Sequence, residues 1–157
     1  MLRCTGFERD QYTFKLLYKS LKDKDDISVF HNKCDNIKYI FIIILTLDNK
    51  KFGFYTSLGL SSDQNAVYDD RAFMFKLCNG GIETFHVFPK EIAFYGLKDF
   101  ILNLGGEQLI IRDKFLSNAS FCGLKMKNYR TYNNYEINNG NKNFIIKEME
   151  VYRVIKI

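Results

Sequence analysis

Apolar residues along this chain come in short runs, and most of the runs alternate with period two. Arg71–Cys78 places Phe73, Phe75 and Leu77 on one face and Lys76 on the other, the pattern of a β-strand. The longest apolar run, Tyr39–Leu47, has nine residues, too few to cross a bilayer as a helix, so it reads as a strand buried on both faces. Ile40–Leu47 and Lys51–Thr56 form a hairpin around Asp48-Asn49-Lys50. Further strands are expected at Ile82–Phe88, Glu91–Tyr95, Phe100–Leu104, Gln108–Arg112 and Ser120–Lys125, with a long final one from Phe144 to about Ile155. Asn79-Gly80-Gly81 and Gly105-Gly106 mark turns. Helical spacing recurs at Ile27, Phe30 and Cys34, with Asp25 or Asp26 placed to cap the free N–H groups and an end at Asp35-Asn36. Phe14–Tyr18 is a short apolar segment, and Ser57–Asp70 and Tyr129–Asn143 read as polar loops. Many short strands with regular turns predict a mostly β chain folded as a β-sandwich, one domain over residues 1–157.

Composition supports a core built without staples. Fifteen Phe and ten Tyr, in a chain that is 46% hydrophobic, supply enough apolar volume to fold without disulfides or a metal, and they favour strands. Cys4, Cys34, Cys78 and Cys122 lack the spacing of a zinc site, and His31 and His86 lie far apart, so the cysteines read as reduced cytoplasmic thiols. A mitochondrial leader is the lesser reading of Met1–Phe14, because Glu8 and Asp10 accompany Arg3 and Arg9. The net charge of +5 is uneven: ten Lys and Arg face seven acids in residues 1–51, four face seven in 52–111, and nine face four in 112–157. A basic final third could meet an acidic partner, a polyanion or an anionic membrane, although a solvated surface explains most such lysines.

Three constellations carry candidate chemistry. Glu148 and Glu150 stand two apart and, in a regular strand, share a face with Phe144, Ile146, Tyr152 and Val154; a bulge, or ion pairs at the sheet rim, would resolve the burial of two charges. That final segment is expected to pair with an early strand within Lys38–Leu47. His31 and Cys34 lie three apart on one helix, which would make Cys34 a redox-responsive thiol if the imidazole were cationic and the sulfur reachable. Tyr and Lys interleave over Lys125–Tyr135 without an RNA-recognition signature, so no nucleic acid is expected. No nucleophile elbow, phosphate loop or zinc-protease motif occurs, and the expectation is no catalytic residue, no cofactor and no metal.

Several blocks together resemble one family. Lys19-Ser20, Phe30-His31-Asn32-Lys33-Cys34-Asp35-Asn36, Phe52-Gly53 with Tyr55-Thr56-Ser57, Asp70-Arg71-Ala72-Phe73-Met74-Phe75-Lys76-Leu77, and Phe144–Tyr152 with Glu148, Glu150 and Val151 are similar, in order, to the TLDc (TBC/LysM-associated) domain. The resemblance spans about residues 14–152. It implies two antiparallel sheets packed together with a few short peripheral helices, an α+β variant of the mostly β class. It also implies a non-enzymatic protein-interaction role, linked to protection against oxidative damage and to binding subunits of the vacuolar proton pump (V-ATPase). The chain departs from the family at Asp23-Lys24-Asp25-Asp26, which lacks a glycine, at Leu60 in place of a tryptophan, at Leu104-Gly105-Gly106-Glu107-Gln108, and at Lys38-Tyr39-Ile40.

Overall fold

A computed structural model describes residues 11–105, 108–123, 127–131, 133 and 136–157. The charged start before Gln11, Gly106-Glu107, Lys125 and part of the Tyr129–Asn143 segment lie outside the described residues. Two six-stranded antiparallel sheets account for most of the rest. The chain runs β1 (Tyr12–Lys19), α1 (Ser20–Asp23), α2 (Ile27–Cys34), β2 (Ile40–Thr46), β3 (Lys51–Thr56), β4 (Asp63–Val67), β5 (Phe73–Cys78), β6 (Gly81–His86), β7 (Phe94–Leu97), β8 (Phe100–Leu104), β9 (Leu109–Arg112), β10 (Ser120–Cys122), β11 (Asn143–Phe144) and β12 (Ile146–Lys156). A 3-10 turn occupies Glu136–Asn138. The first sheet has the order β1-β12-β2-β3-β5-β6 and the second β11-β10-β9-β8-β7-β4.

The core between the sheets is aromatic and β-branched. Ile40, Ile42, Ile44, Phe52, Phe54, Met74, Phe85, Phe94, Leu104, Ile111, Phe115 and Val151 are all almost fully buried there. Phe52 meets Phe144 edge-on at 5.2 Å, and Phe54 meets Phe94 at 5.9 Å, so both pairs join the two sheets. The opposite face of the first sheet is apolar as well. Phe41, Tyr55, Phe73, Phe75 and Val154 form a second buried cluster, flanked by Tyr12, Phe14, Ile43, Ile82 and Tyr152. Phe41 stacks on Phe75 at 4.8 Å. A strand between two apolar layers needs a continuous apolar run, which is what β2 has. Gly53 sits beneath Phe75, where a Cβ would collide with the Phe75 ring and the Ile42 carbonyl oxygen, so no other residue fits.

The expected helix is α2, with Asp26 as the N-cap accepting from Ser28 N at 2.9 Å. β12 pairs with β2 from Ile146↔Thr46 to Arg153↔Ile40, and its other neighbour is β1, so it is an inner strand. Four expectations need correction. The segment Ser57–Asp70 contains a strand, β4, which pairs with β7 at the edge of the second sheet and needs no apolar alternation there. Glu91–Tyr95 is displaced: the strand begins at Phe94. The long final strand is two strands, because Phe144 pairs with Ser120 in the second sheet and the chain crosses at Ile145, whose carbonyl accepts from Leu47 N at 2.9 Å. A register shift between Ile146 and Glu148 then puts Met149 and Val151 into the core, while Glu148 and Glu150 stay half-buried outside it. Lys76, on the face of β5 opposite Phe73 and Phe75, points inward: it pairs with Glu83 at 3.0 Å and Glu136 at 3.9 Å and lies over the Phe85 ring.

Candidate functional site

The residues singled out by sequence divide into core side chains and three polar knots. Phe30, Cys34, Phe52, Phe144 and Val151 fill the inner core, and Phe73 and Phe75 fill the outer cluster over Gly53. Asp35, Glu148 and Glu150 belong to polar knots, and so does Asp69, which sequence reasoning did not select.

The first knot holds α2 in place. Phe30 meets the Tyr18 ring edge-on at 5.4 Å, fixing the helix against β1. Asp113 Oδ1 accepts from Ile27 N at 2.9 Å, and Asp25 Oδ2 accepts from Leu116 N at 3.2 Å, so the segment after β9 grips the helix start. Hydrogen bonds from Ser28 and then from Lys114 hold the Asp26 carboxyl well below the usual carboxylate range. At the other end His31 Nδ1 lies 2.9 Å from Asp35 Oδ1, and Nε2 lies 3.1 Å from the Phe100 carbonyl oxygen. Both partners are acceptors, so the full pair of bonds requires both ring nitrogens to carry protons. Burial pushes the His31 pKa down, but the hydrogen bond and charge of Asp35 outweigh it and the net shift is upward.

Cys34 does not join this knot. It is 0% exposed, and burial pushes its thiol up to about 12, leaving the reactive thiolate scarce at neutral pH. His31 is engaged with Asp35 and Phe100 rather than with the sulfur. The thiol-based reading is therefore corrected: Cys34 is a packing residue.

The second knot centres on Asp69, 4% exposed. Its Oδ2 accepts from Thr56 Oγ1 and Ser57 N, both at 2.7 Å, and from Leu58 N at 3.4 Å; its Oδ1 accepts from Ser57 Oγ at 2.8 Å and Arg71 N at 3.1 Å. Burial raises its pKa, the hydrogen bonds from Thr56, Ser57 and Arg71 lower it, and the donors prevail. The carboxylate thus joins the end of β3 to the start of β5. No period in the sequence marks it; the signal was the Thr56-Ser57 pair, whose donors need an acceptor.

The third knot lies where β1 ends. Lys19 Nζ is 2.8 Å from Glu148 Oε1 and 2.7 Å from Glu150 Oε1, and Tyr152 OH donates to Glu150 Oε2 at 2.7 Å. Glu150 is directly across from Lys19 in the ladder. Burial raises the Glu150 pKa, but Lys19 and Tyr152 lower it further, and Lys19 itself is raised chiefly by Glu148. Ser20 Oγ accepts from Met149 N at 2.9 Å just beside the bulge. The two carboxylates face one cation rather than each other across a cleft, so the arrangement fixes register.

Among the described residues no three His, Cys, Asp or Glu side chains group to hold a metal ion. No helix among them is long and apolar enough to cross a membrane. A search of curated proteins finds no match to this chain. Comparison with protein families matches residues 1–155 to the TLDc domain. With its blocks spent on a shared core and on knots that tie one sheet, α2 and the connecting loops together, the chain belongs to the TLDc domain family.

Proposed function

We propose that this chain is a non-enzymatic protein-interaction module of the TLDc type. It works in the cytoplasm, docks onto subunits of the vacuolar proton pump, and supports resistance to oxidative damage through that association. Family membership over residues 1–155 supports the reading. The observation that carries it is how the family blocks are used. Their polar groups, in the His31–Asp35, Thr56-Ser57 and Glu148/Glu150 knots, are engaged by neighbours in the same chain. Groups held in that way position surfaces and leave little capacity for proton or group transfer. The buried Cys34 argues against scavenging of oxidants through that thiol and supports a protective effect exerted through what the module binds.

Affinity purification of the tagged chain from its own cells, under conditions that preserve the pump, tests this reading. Pump subunits are expected in the eluate. Their absence, with the pump shown to be intact in the same extract, would overturn the named partner.

A further inference from the structure

The β1–β12 ladder carries an unexplained charge arrangement from its middle to the end away from Lys19. Lys15 and Arg153 are directly opposite one another in the register, and Lys156 is opposite Tyr12. Arg153 is also opposite Ile40 at the start of β2, and Val154 N donates at 2.8 Å to the carbonyl of Tyr39, next to Lys38. Lys15, Lys38, Arg153 and Lys156 are all exposed. Directly opposed side chains in an antiparallel pair stand about 5 Å apart, where like charges destabilise the sheet. The carboxylates that could have relieved this on β12, Glu148 and Glu150, sit at the far end and are shared by Lys19. No ion pair engages any of the four cations among the described residues.

Exposed apolar groups accompany these charges. Tyr39, next to Lys38 where the chain enters β2, is 41% exposed; Leu16 is 45% exposed on the face of β1 opposite Lys15, and Ile157, just past β12, is 80% exposed. Tyr39 has φ of 63°, a left-handed backbone that a bulky side chain rarely adopts, and it is held by bonds from both its N–H and its carbonyl. A left-handed aromatic at the surface, near cations with no ion pair among the described residues, is an arrangement that fold stability alone does not explain.

We infer that this basic end of the β1–β12–β2 ladder is a docking surface for an acidic segment of a partner protein. The inference rests on the interaction-module reading and adds the surface and the chemistry of what it meets. The mixture of Arg, Tyr and aliphatic groups fits a protein interface, where such residues supply most of the contact energy. Lys15 and Arg153 share one face of two strands, Lys38 stands just before β2, and Lys156 lies on the other face level with Tyr12, a group too small for tracking a nucleic-acid backbone. Carboxylates of the partner would relieve the Lys15–Arg153 repulsion, and Tyr39 would pack against the carbon stems between them.

The test uses the full chain titrated into fluorescently labelled poly-L-glutamate at low salt, followed by anisotropy. Duplex DNA and phosphatidylserine vesicles serve as the other arms. Poly-L-glutamate should bind best, and its affinity should fall as salt rises. Lys15→Glu with Arg153→Glu should weaken binding by about tenfold or more. Lys98→Glu with Lys127→Glu, two exposed lysines of the second sheet's connections, should leave it unchanged. If the reversal pair fails to fold, Lys15→Gln with Arg153→Gln should still show a smaller loss. No binding to poly-L-glutamate, equal losses from both pairs of substitutions, or tighter binding to DNA or vesicles would overturn the assignment. The pump capture separates the two readings. Capture by wild type and reversal pair alike rejects this surface and keeps the module. Loss of poly-L-glutamate binding in the pair, with no pump captured by either, keeps the surface and rejects that partner.

Discussion

Two stretches of the β1–β12 ladder are built from the same two strands and the same kinds of residue, yet they do different things. At one end Lys19 meets Glu150 across the ladder and reaches Glu148 beside it, so opposite charges neutralise each other at 2.7 and 2.8 Å. Midway along the ladder Lys15 meets Arg153, and no ion pair answers either charge among the described residues. Composition could not separate these cases, because both ends belong to lysine-rich stretches. Register decides: the shift between Leu16 and Tyr18 brings Glu150 across from Lys19, and the bulge near Lys147 turns both carboxylates away from the core. One end therefore serves the fold, and the other is free to serve binding.

The harshest way to break the comparison is to remove the strand that carries it. A chain stopped after Ile145 loses Ile146, Met149 and Val151 from the core and separates β1 from β2. Each fully buried side chain of this size contributes roughly 1.5–3 kcal/mol, and a domain's whole stability is about 5–15 kcal/mol. No cooperative melt is expected; a wild-type transition in circular dichroism would refute the inner placement of β12.

Substituting Lys19 by Met tests the neutralised end alone. Two half-buried carboxylates would then face each other without a cation, and the melting temperature should fall by several degrees at pH 7. The deficit should shrink on acidification. Glu150 has a lowered folded pKa, so its contribution is present above its ordinary value and is lost as pH falls through the folded value. A deficit independent of pH from 7 to 3.5 would mean that Lys19 acts by packing instead.

His31 supplies the opposite sign. Its folded pKa is raised, so the clamp between α2 and β8 is complete below the ordinary histidine value and is lost as pH rises through the folded one. Stability scans upward from pH 6 should show a loss of about 1 kcal/mol in the wild type that His31→Gln lacks. Identical profiles for the two proteins would show that the imidazole is not protonated in the fold.

The smallest effect belongs to the unanswered end. Lys15→Glu places an acid across from Arg153 and should stabilise the fold by about 0.2–1 kcal/mol, read by chemical denaturation. A stabilising change at an exposed position is easily dismissed, but here its direction is the point. A loss of stability would show that the two cations do not oppose each other.

Much of this architecture was legible because burial leaves a period. The unbroken apolar run of β2 predicted a strand between two layers, and Asp26 with Ile27, Phe30 and Cys34 predicted α2 with its cap. What escaped were features set by position in the sheet. β4 is a polar edge strand, Asp63–Val67, with no face that must be apolar. Phe144-Ile145-Ile146 reads as one strand although its ends belong to different sheets, because both destinations want the same residue types. Lys76 alternates like a surface lysine but faces inward, rescued by Glu83 across the β5–β6 hairpin and by Glu136 from a distant part of the chain. Asp69 binds mostly turn donors, which leave no hydrophobic trace. His31 was paired with Cys34 at three residues' spacing, whereas its partner is Asp35 at four; only the burial of the thiol separates the alternatives.

The division of the ladder into a structural end and a binding end is tested most directly by measuring two properties on two variants. Melting temperature and poly-L-glutamate affinity, the latter well below any melting transition, are recorded for Lys19→Met and for Lys15→Glu with Arg153→Glu. The predicted result is a crossed pattern: Lys19→Met melts lower and binds like the wild type, while the reversal pair, which keeps like charges opposed, melts like the wild type and binds about tenfold more weakly. Loss of binding in proportion to loss of stability across both variants would contradict the account.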